Sequence, residues 1–296
     1  MSQQQLSVVV VVLQGPPSLD KCLRSLQRQT DVLETIVVTN RPREELASTA
    51  AAFPFATFHY FASDATIPEL RAEGVRLSRT PIVALIEDTC AVADGWANAH
   101  LEAHRLPCAG VGGAVEIDSN ARPLDWAIYL LDYGDYMPPL AIRESKRFPG
   151  CNLSYKKDAL AASQSSWWLG LYETTLNEAL HRRGEKLVLC PDAVVSYHGR
   201  SRVAKAATAF FHHGRTYASL LRSQLSPAKR LGYAMGTPLL PALLSVRCLV
   251  RSTGKRRCAL QAVRSLPFTV ALTCFWACGE ALGYLLGPGR SSRAWK

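Results

Sequence analysis

The sequence predicts an α/β protein with a mostly parallel sheet and flanking helices, followed by an apolar helical pair. Three observations carry that prediction. Through residues 6–105, β-branched apolar runs alternate with amphipathic stretches at the spacing of βαβ units. The chain has 296 residues, 48% of them hydrophobic, enough to bury a sizeable core. Charge is unevenly placed: residues 205–296 carry 14 of the 34 Lys and Arg and a single acid, Glu280. The preceding part holds the other 20 basic and 23 acidic side chains, so the net +10 resides in the tail.

Residues 6–13 form a continuous apolar run, as expected of a strand covered on both faces. No basic residues precede the run, so it reads as a first strand, not a signal peptide. Ser18 is placed to cap a helix with Leu19, Cys22, Leu23 and Leu26 on one face. Residues 35–38 read as a second strand, 43–52 as a helix and 56–60 as a third strand. Residues 68–77 read as a helix with Leu70, Gly74 and Leu77 on one side. Residues 81–86 are a fourth strand, and Asp94 is placed to cap a helix reaching Arg105. Right-handed crossovers bring such strands' carboxyl ends to one edge, where open α/β sheets bind ligands. Farther on, 109–117 reads as a strand and the aromatic, acidic 129–139 as a loop over the site. Residues 151–155 lead into a helix at 157–163. A helix over 173–183 ends at Gly184, and 186–190 and 193–197 are two short strands.

The fourth strand runs into Glu87, Asp88 and Thr89. Adjacent carboxylates at a strand end have three readings. They hold Mg2+ or Mn2+ against substrate phosphates, because hard cations take oxygen ligands; they accept ribose hydroxyls; or they are solvated loop acids. Glu173 opens the late helix, either as a general base or as a first-turn acid favoured by the macrodipole. Trp167, Trp168 and Tyr172 precede it and suit a sugar-stacking, partly desolvated surround. His198 follows the last strand, and Arg200 beside it suits phosphate recognition. LQGPPS after the first strand lacks G-x-G-x-x-G, which disfavours a dinucleotide-dependent dehydrogenase.

Five stretches, in order, resemble the family 2 glycosyltransferases of the membrane-associated bacterial type: LSVVVVVLQGPPSLDKCLRSLQRQT, LETIVVTN, RAEGVRLSRTPIVALIEDTCAVADGW, CNLSYKKDAL and LYETTLNEALHRRGEKLVLCPDAVVSYH. The likeness spans 6–105 and 148–200. It implies a GT-A fold over residues 1–204 and an inverting transfer of sugar from a nucleotide-diphosphate donor to a glycan or lipid-linked hydroxyl. It places Glu87, Asp88 and Thr89 on the DxD metal motif, Glu173 as general base, and His198 where relatives contact metal or diphosphate. Gln14, Asn40, Arg71 and Arg200 fall with Glu87 and Asp88 on the donor side, and Trp167, Trp168 and Tyr172 on the acceptor side. The chain departs from the family pattern where Thr89 replaces the third metal acid, Thr39-Asn40 an acidic pair and Ala72 an Asn. A catalytically inactive, ligand-binding relative is the alternative those departures leave open.

The tail, 205–296, carries apolar blocks at 231–250 and 266–287, each near the ~20 residues needed to cross a bilayer. Pro238, Pro241 and Arg247 interrupt the first, and Glu280 the second. Lys229 and Arg230, then Arg251, Lys255, Arg256, Arg257 and Arg264, then Arg290, Arg293 and Lys296 flank them. Nucleic-acid arms are seldom so apolar, so membrane lipids are the expected partner, at the cytoplasmic face of the inner membrane. In-plane or re-entrant helices keep all cations on one side; two full crossings and a soluble hairpin are the other possibilities. Nine cysteines without a C-x-x-C pair give no zinc or disulfide framework and fit a reduced compartment.

Overall fold

The computed structural model describes residues 6–29, 32–255 and 258–294. Arg256, Arg257 and Lys296, counted above among the cations flanking the tail, lie outside the described residues. The chain divides into two compact units, Met1–Asp118 with Tyr136–Gly199, and Ser119–Asp135 with Arg200–Lys296.

The first unit begins with β1 (Leu6–Val11), α1 (Pro16–Leu26), β2 (Val32–Thr39), α2 (Arg43–Ala52), β3 (Ala56–Tyr60), α3 (Ile67–Leu77) and β4 (Ile82–Glu87). β1 pairs in parallel with both β2 and β4, and β3 extends the sheet beyond β2. Every residue of β1 and β4 is buried, which is why both read as unbroken apolar runs. Gly74 lets α3 lie close on β1: a Cβ there would fall 2.2 Å from a Val9 methyl. Ser18 is not a cap; α1 starts at Pro16, where the fixed proline φ suits a first turn, and Ser18 lies inside it.

Then come β5 (Cys90–Val92), α4 (Trp96–Ala103) and β6 (Gly110–Ile117); α5 (Pro123–Asp132) follows, in the second unit. Asp94 is likewise not a cap: Gly95 takes that place in the left-handed region, φ +73°, and Asp94 pairs with Arg28 on the surface. α5 replaces the start of the loop expected over 129–139. Leu124, Ala127, Ile128 and Leu130 are buried along it, and Asp125 accepts the Arg122 N–H that opens it.

The first unit continues with β7 (Arg143–Glu144), β8 (Asn152–Lys156), α6 (Lys157–Ala162), α7 (Glu173–Arg182) and β9 (Leu187–Tyr197). Among the described residues the sheet has nine strands in the order β3-β2-β1-β4-β8-β6-β9-β5, with β7 on β9. β8 runs antiparallel to β4 and β6, so the sheet is mixed beyond its parallel first half. The two short strands expected at 186–190 and 193–197 are one strand, β9. It pairs in parallel with β6 across a register shift that passes over Pro191, the residue with no ladder N–H to give.

The second unit adds to α5 four helices: α8 (Val203–Arg222), α9 (Pro227–Gly236), α10 (Leu240–Gly254) and α11 (Ala259–Leu286). Pro227–Gly254, through a 3-10 turn at Thr237–Leu239, and Ala259–Leu286 are each long and apolar enough to cross a membrane. α8 and α11 pack backbone to backbone. A Cβ on Gly214 would meet the Trp276 carbonyl at 2.3 Å, and one on Gly279 the Phe211 carbonyl at 2.0 Å. Glu280 is accommodated in its apolar helix by hydrogen bonds from Trp276 Nε1 (2.6 Å) and the Tyr284 hydroxyl (3.0 Å). Arg215 and Arg222 of α8 donate to the Gly287 and Tyr284 carbonyls at the α11 end, cations where the helix dipole is negative.

Candidate active site

Glu87 and Asp88 stand at the carboxyl end of β4, and their side chains do different things. Neighbouring residues leaving a strand point to opposite sides. Glu87 Oε1 accepts from Arg71 Nη2 at 2.7 Å. Arg71 Nη1 donates to Glu173 Oε2 at 2.8 Å, and Nη2 also reaches the Gly150 carbonyl at 3.1 Å. One buried guanidinium from α3 thus joins the acid ending β4 to the acid opening α7. Gly150 leaves the needed room, since a Cβ there would sit 3.2 Å from Arg71 Nη2 and 3.3 Å from Glu173 Oε1. Burial pushes the Glu87 carboxyl up; Arg71 opposes that, and the charge of Glu173 adds to it.

Asp88 turns the other way and is wholly buried. Its Oδ1 accepts the Leu13 N–H and its Oδ2 those of Gln14 and Gly15, each at 2.9 Å. Burial pushes its carboxyl up to about 6, against the pull of those three amides and with Glu87 adding to the rise. Thr89 is buried, and its hydroxyl lies 3.4 Å from Glu87 Oε2.

The Thr89 carbonyl accepts the His198 N–H at 2.8 Å, which fixes the end of β9 beside the acidic turn. His198 Nε2 lies 3.4 Å from the Ser18 carbonyl, and the Ser196 main chain adjoins the partly buried ring. Burial and then Lys21 hold the imidazole below its usual range. Gln14 lies in the turn held by Asp88, and Asn40 donates to the Ala65 carbonyl at 2.8 Å. Trp167 is buried, with Nε1 on the Leu160 carbonyl. Trp168 is 45% exposed and carries the Arg76 guanidinium 4.7 Å over its ring. Tyr172 adjoins Glu173, and its phenol is raised by burial and then by the charges of Glu69 and Glu173. Arg200 belongs to the second unit, where it donates to Asp125 at 2.9 Å and to the Asn120 carbonyl at 2.7 Å.

Asn152 is a polar core residue that sequence reasoning did not single out. Its Oδ1 accepts from Trp96 Nε1 at 2.9 Å and from His100 Nε2 at 3.2 Å; its Nδ2 donates to the Ala114 and Ala193 carbonyls, both at 2.8 Å. With His100 Nε2 so protonated, Nδ1 accepts from Ser154, whose oxygen in turn accepts from His104 Nε2; both contacts are 2.8 Å. Burial lowers the two imidazoles to about 4 and about 3. The signal was readable: Trp96, His100 and His104 recur every fourth residue on one helix face, opposite alternate strand positions 152 and 154.

No protein-family model matches the chain, and no curated protein matches it in sequence. Among solved structures, the chain is similar to the mannosyltransferase PcManGT from Pyrobaculum calidifontis in complex with GDP-Man and Mn2+. That likeness has a TM-score of 0.59 and 16% identity over 96% of this chain and 88% of that one. The fold is of the GT-A type. A second similar structure is GalNAc-T7 with UDP, GalNAc and Mn2+, at a TM-score of 0.51 and 12% identity over 67% of this chain. The chain spans 44% of the length of that structure. Among the described residues, no three His, Cys, Asp or Glu side chains of this GT-A sheet gather into a ready-made metal cage. Of the residues expected on a metal, Glu87 is a carboxylate at the edge held by Arg71, Asp88 is taken up by main-chain amides, and the His198 ring lies against the Ser18 carbonyl. Ions that reach a protein on a diphosphate need only one or two protein ligands.

Proposed function

We propose that this protein is an inverting, family 2-like glycosyltransferase that moves a sugar from a nucleotide-diphosphate sugar to a hydroxyl acceptor. The observation that carries this reading is the Glu87–Arg71–Glu173 bridge at the ligand edge of a GT-A sheet. The likeness to structures holding UDP with GalNAc, or GDP-Man, each with Mn2+, supports a nucleotide-sugar donor and a divalent companion ion.

In this reading Glu173 takes the proton of the acceptor hydroxyl as that oxygen bonds to the anomeric carbon. The bond from that carbon to the diphosphate oxygen breaks, and the nucleoside diphosphate leaves with the electron pair. One displacement inverts the anomeric centre. The Glu173 side chain keeps 19% exposure, which lets a hydroxyl reach it, while Arg71 fixes its Oε2. Glu87, with His198 as nitrogen donor, would hold Mg2+ or Mn2+, which when bound supplies Lewis-acid neutralisation of the leaving diphosphate. Gln14, Asn40 and Arg71 line the donor side; Trp168 and Tyr172, with Trp167 packed behind, receive the acceptor.

The same proposal seats the second unit on the cytoplasmic face of the inner membrane, beside a glycan or lipid-linked acceptor. Leu231, Met235, Leu239, Leu243 and Val250 are all more than half exposed on an apolar stretch flanked by Lys and Arg. The decisive experiment is Glu173→Gln. Turnover of the productive nucleotide sugar should fall roughly 10²–10⁴-fold, with thermal stabilisation by the nucleotide retained. Near-normal turnover removes Glu173 from the chemistry.

A further inference from the structure

The turn between β1 and α1 aims three consecutive main-chain N–H groups, of Leu13, Gln14 and Gly15, at one place. Successive amides converging in this way form an anion cradle of the kind that takes phosphate. Gly15, at φ +92°, adopts the conformation that keeps them convergent, and a Cβ there would stand 3.0 Å from Glu45 Oε1. Here the cradle already holds an anion belonging to the chain. Asp88 fills it with both oxygens, and no part of the residue reaches solvent. The Asp88 N–H also bonds the Val11 carbonyl at 3.0 Å, so main chain and side chain both tie the end of β4 to the end of β1. From its other side the turn is held by Arg41, whose Nη2 donates to the Leu13 carbonyl at 3.0 Å.

We propose that Asp88 is a positioning residue: it plugs the amide cradle of the β1–α1 turn, fixes the turn that carries Gln14, and leaves Glu87 as the only one of the two acids that faces the donor. The proposal rests on the transfer reading above, because it makes that turn a wall of the donor site. It has a chemical corollary. A donor diphosphate takes no hydrogen bond from these three amides, so its charge is met by cations elsewhere at the edge.

The test compares the full-length wild type with Asp88→Ala and Asp88→Asn. Backbone hydrogen exchange is read over residues 13–15, and turnover is read with and without sodium formate, a free carboxylate small enough to enter the cradle. In Asp88→Ala the three amides should exchange more than about tenfold faster, since each loses a buried partner. Formate should restore much of that protection. Turnover should fall about 10–100-fold, as for loss of a supporting partner, and recover with formate. Asp88→Asn, which keeps one acceptor oxygen, should fall between the two and carries the test if the alanine variant does not fold. Wild-type exchange at 13–15 in either variant overturns the proposal. So does lost turnover that formate leaves lost, which would put Asp88 on the metal or donor instead. If the wild type turns over no nucleotide sugar, the transfer reading fails, while the exchange result still decides the role of Asp88.

Discussion

Replacing Arg71 with Met removes the one cation shared by two carboxylates and keeps most of the side-chain bulk. The side chains of Arg71, Glu87 and Glu173 are 4%, 10% and 19% exposed. Breaking a buried pair by deleting one partner costs roughly 3–5 kcal/mol, because the other charge stays behind unpaired. The Glu87 half of the bridge meets that description; the Glu173 half adds less, since water reaches it. A total of about 3–5 kcal/mol corresponds to a fall of about 6–20 °C in unfolding temperature for a domain of this size. The assay is thermal unfolding followed by circular dichroism, in a detergent that keeps the helical unit dissolved. The pH dependence has a definite sign. Burial already holds the Glu87 carboxyl above its ordinary range, and without the guanidinium it rises further. A carboxyl raised in the folded state binds a proton that the unfolded chain releases, so it favours folding as pH falls. The deficit of the Met variant should therefore shrink as pH is lowered from neutral toward the ordinary carboxylate range. A shift below about 2 °C, or a deficit constant across that window, would refute the reasoning.

Three further outcomes are expected. Asn152→Leu strands Trp96 Nε1, His100 Nε2 and the Ala114 and Ala193 carbonyls, at about 1–3 kcal/mol each; soluble protein with wild-type unfolding would reject that account of the core. Gly279→Ala puts a methyl within 2.0 Å of the Phe211 carbonyl and should cost about 1–3 kcal/mol, seen as faster hydrogen exchange along α11. Unaltered exchange there would mean the helices part without cost. Chelation by EDTA should abolish sugar transfer and added Mn2+ should restore it; turnover indifferent to EDTA would take Glu87 and His198 out of metal binding.

Much of the first unit was legible in the sequence because its elements follow simple periodicities. The 43–52 helix and the 56–60 strand have the bounds read from the sequence, and Glu87 and Glu173 stand at the strand end and helix start that their neighbours imply. Side-chain direction was not legible. The pair Glu87-Asp88 reads as one motif, yet adjacent positions leave a strand on opposite sides, and only one of the two acids meets Arg71. The Arg71 bridge joins residues from three distant segments, a relation that no local pattern encodes. Asp94 and Ser18 look like caps by residue type, but glycine and proline decide where those helices begin. Asn152 escaped notice because its strand, Asn-Leu-Ser-Tyr-Lys, is polar at alternate positions and its partners lie on another element, where the Trp96-His100-His104 spacing was the available signal.

The two arginines of α8 that close the end of α11 bear on how the helical unit can be divided. A chain cut before Ala259 would leave Arg215 and Arg222 without the carbonyls they bind and would bare to water the flank of α8 where Gly214 meets α11. Shortening the protein to improve its solubility would therefore create a stickier molecule, because the last helix is the cover of its neighbour as much as a greasy appendage.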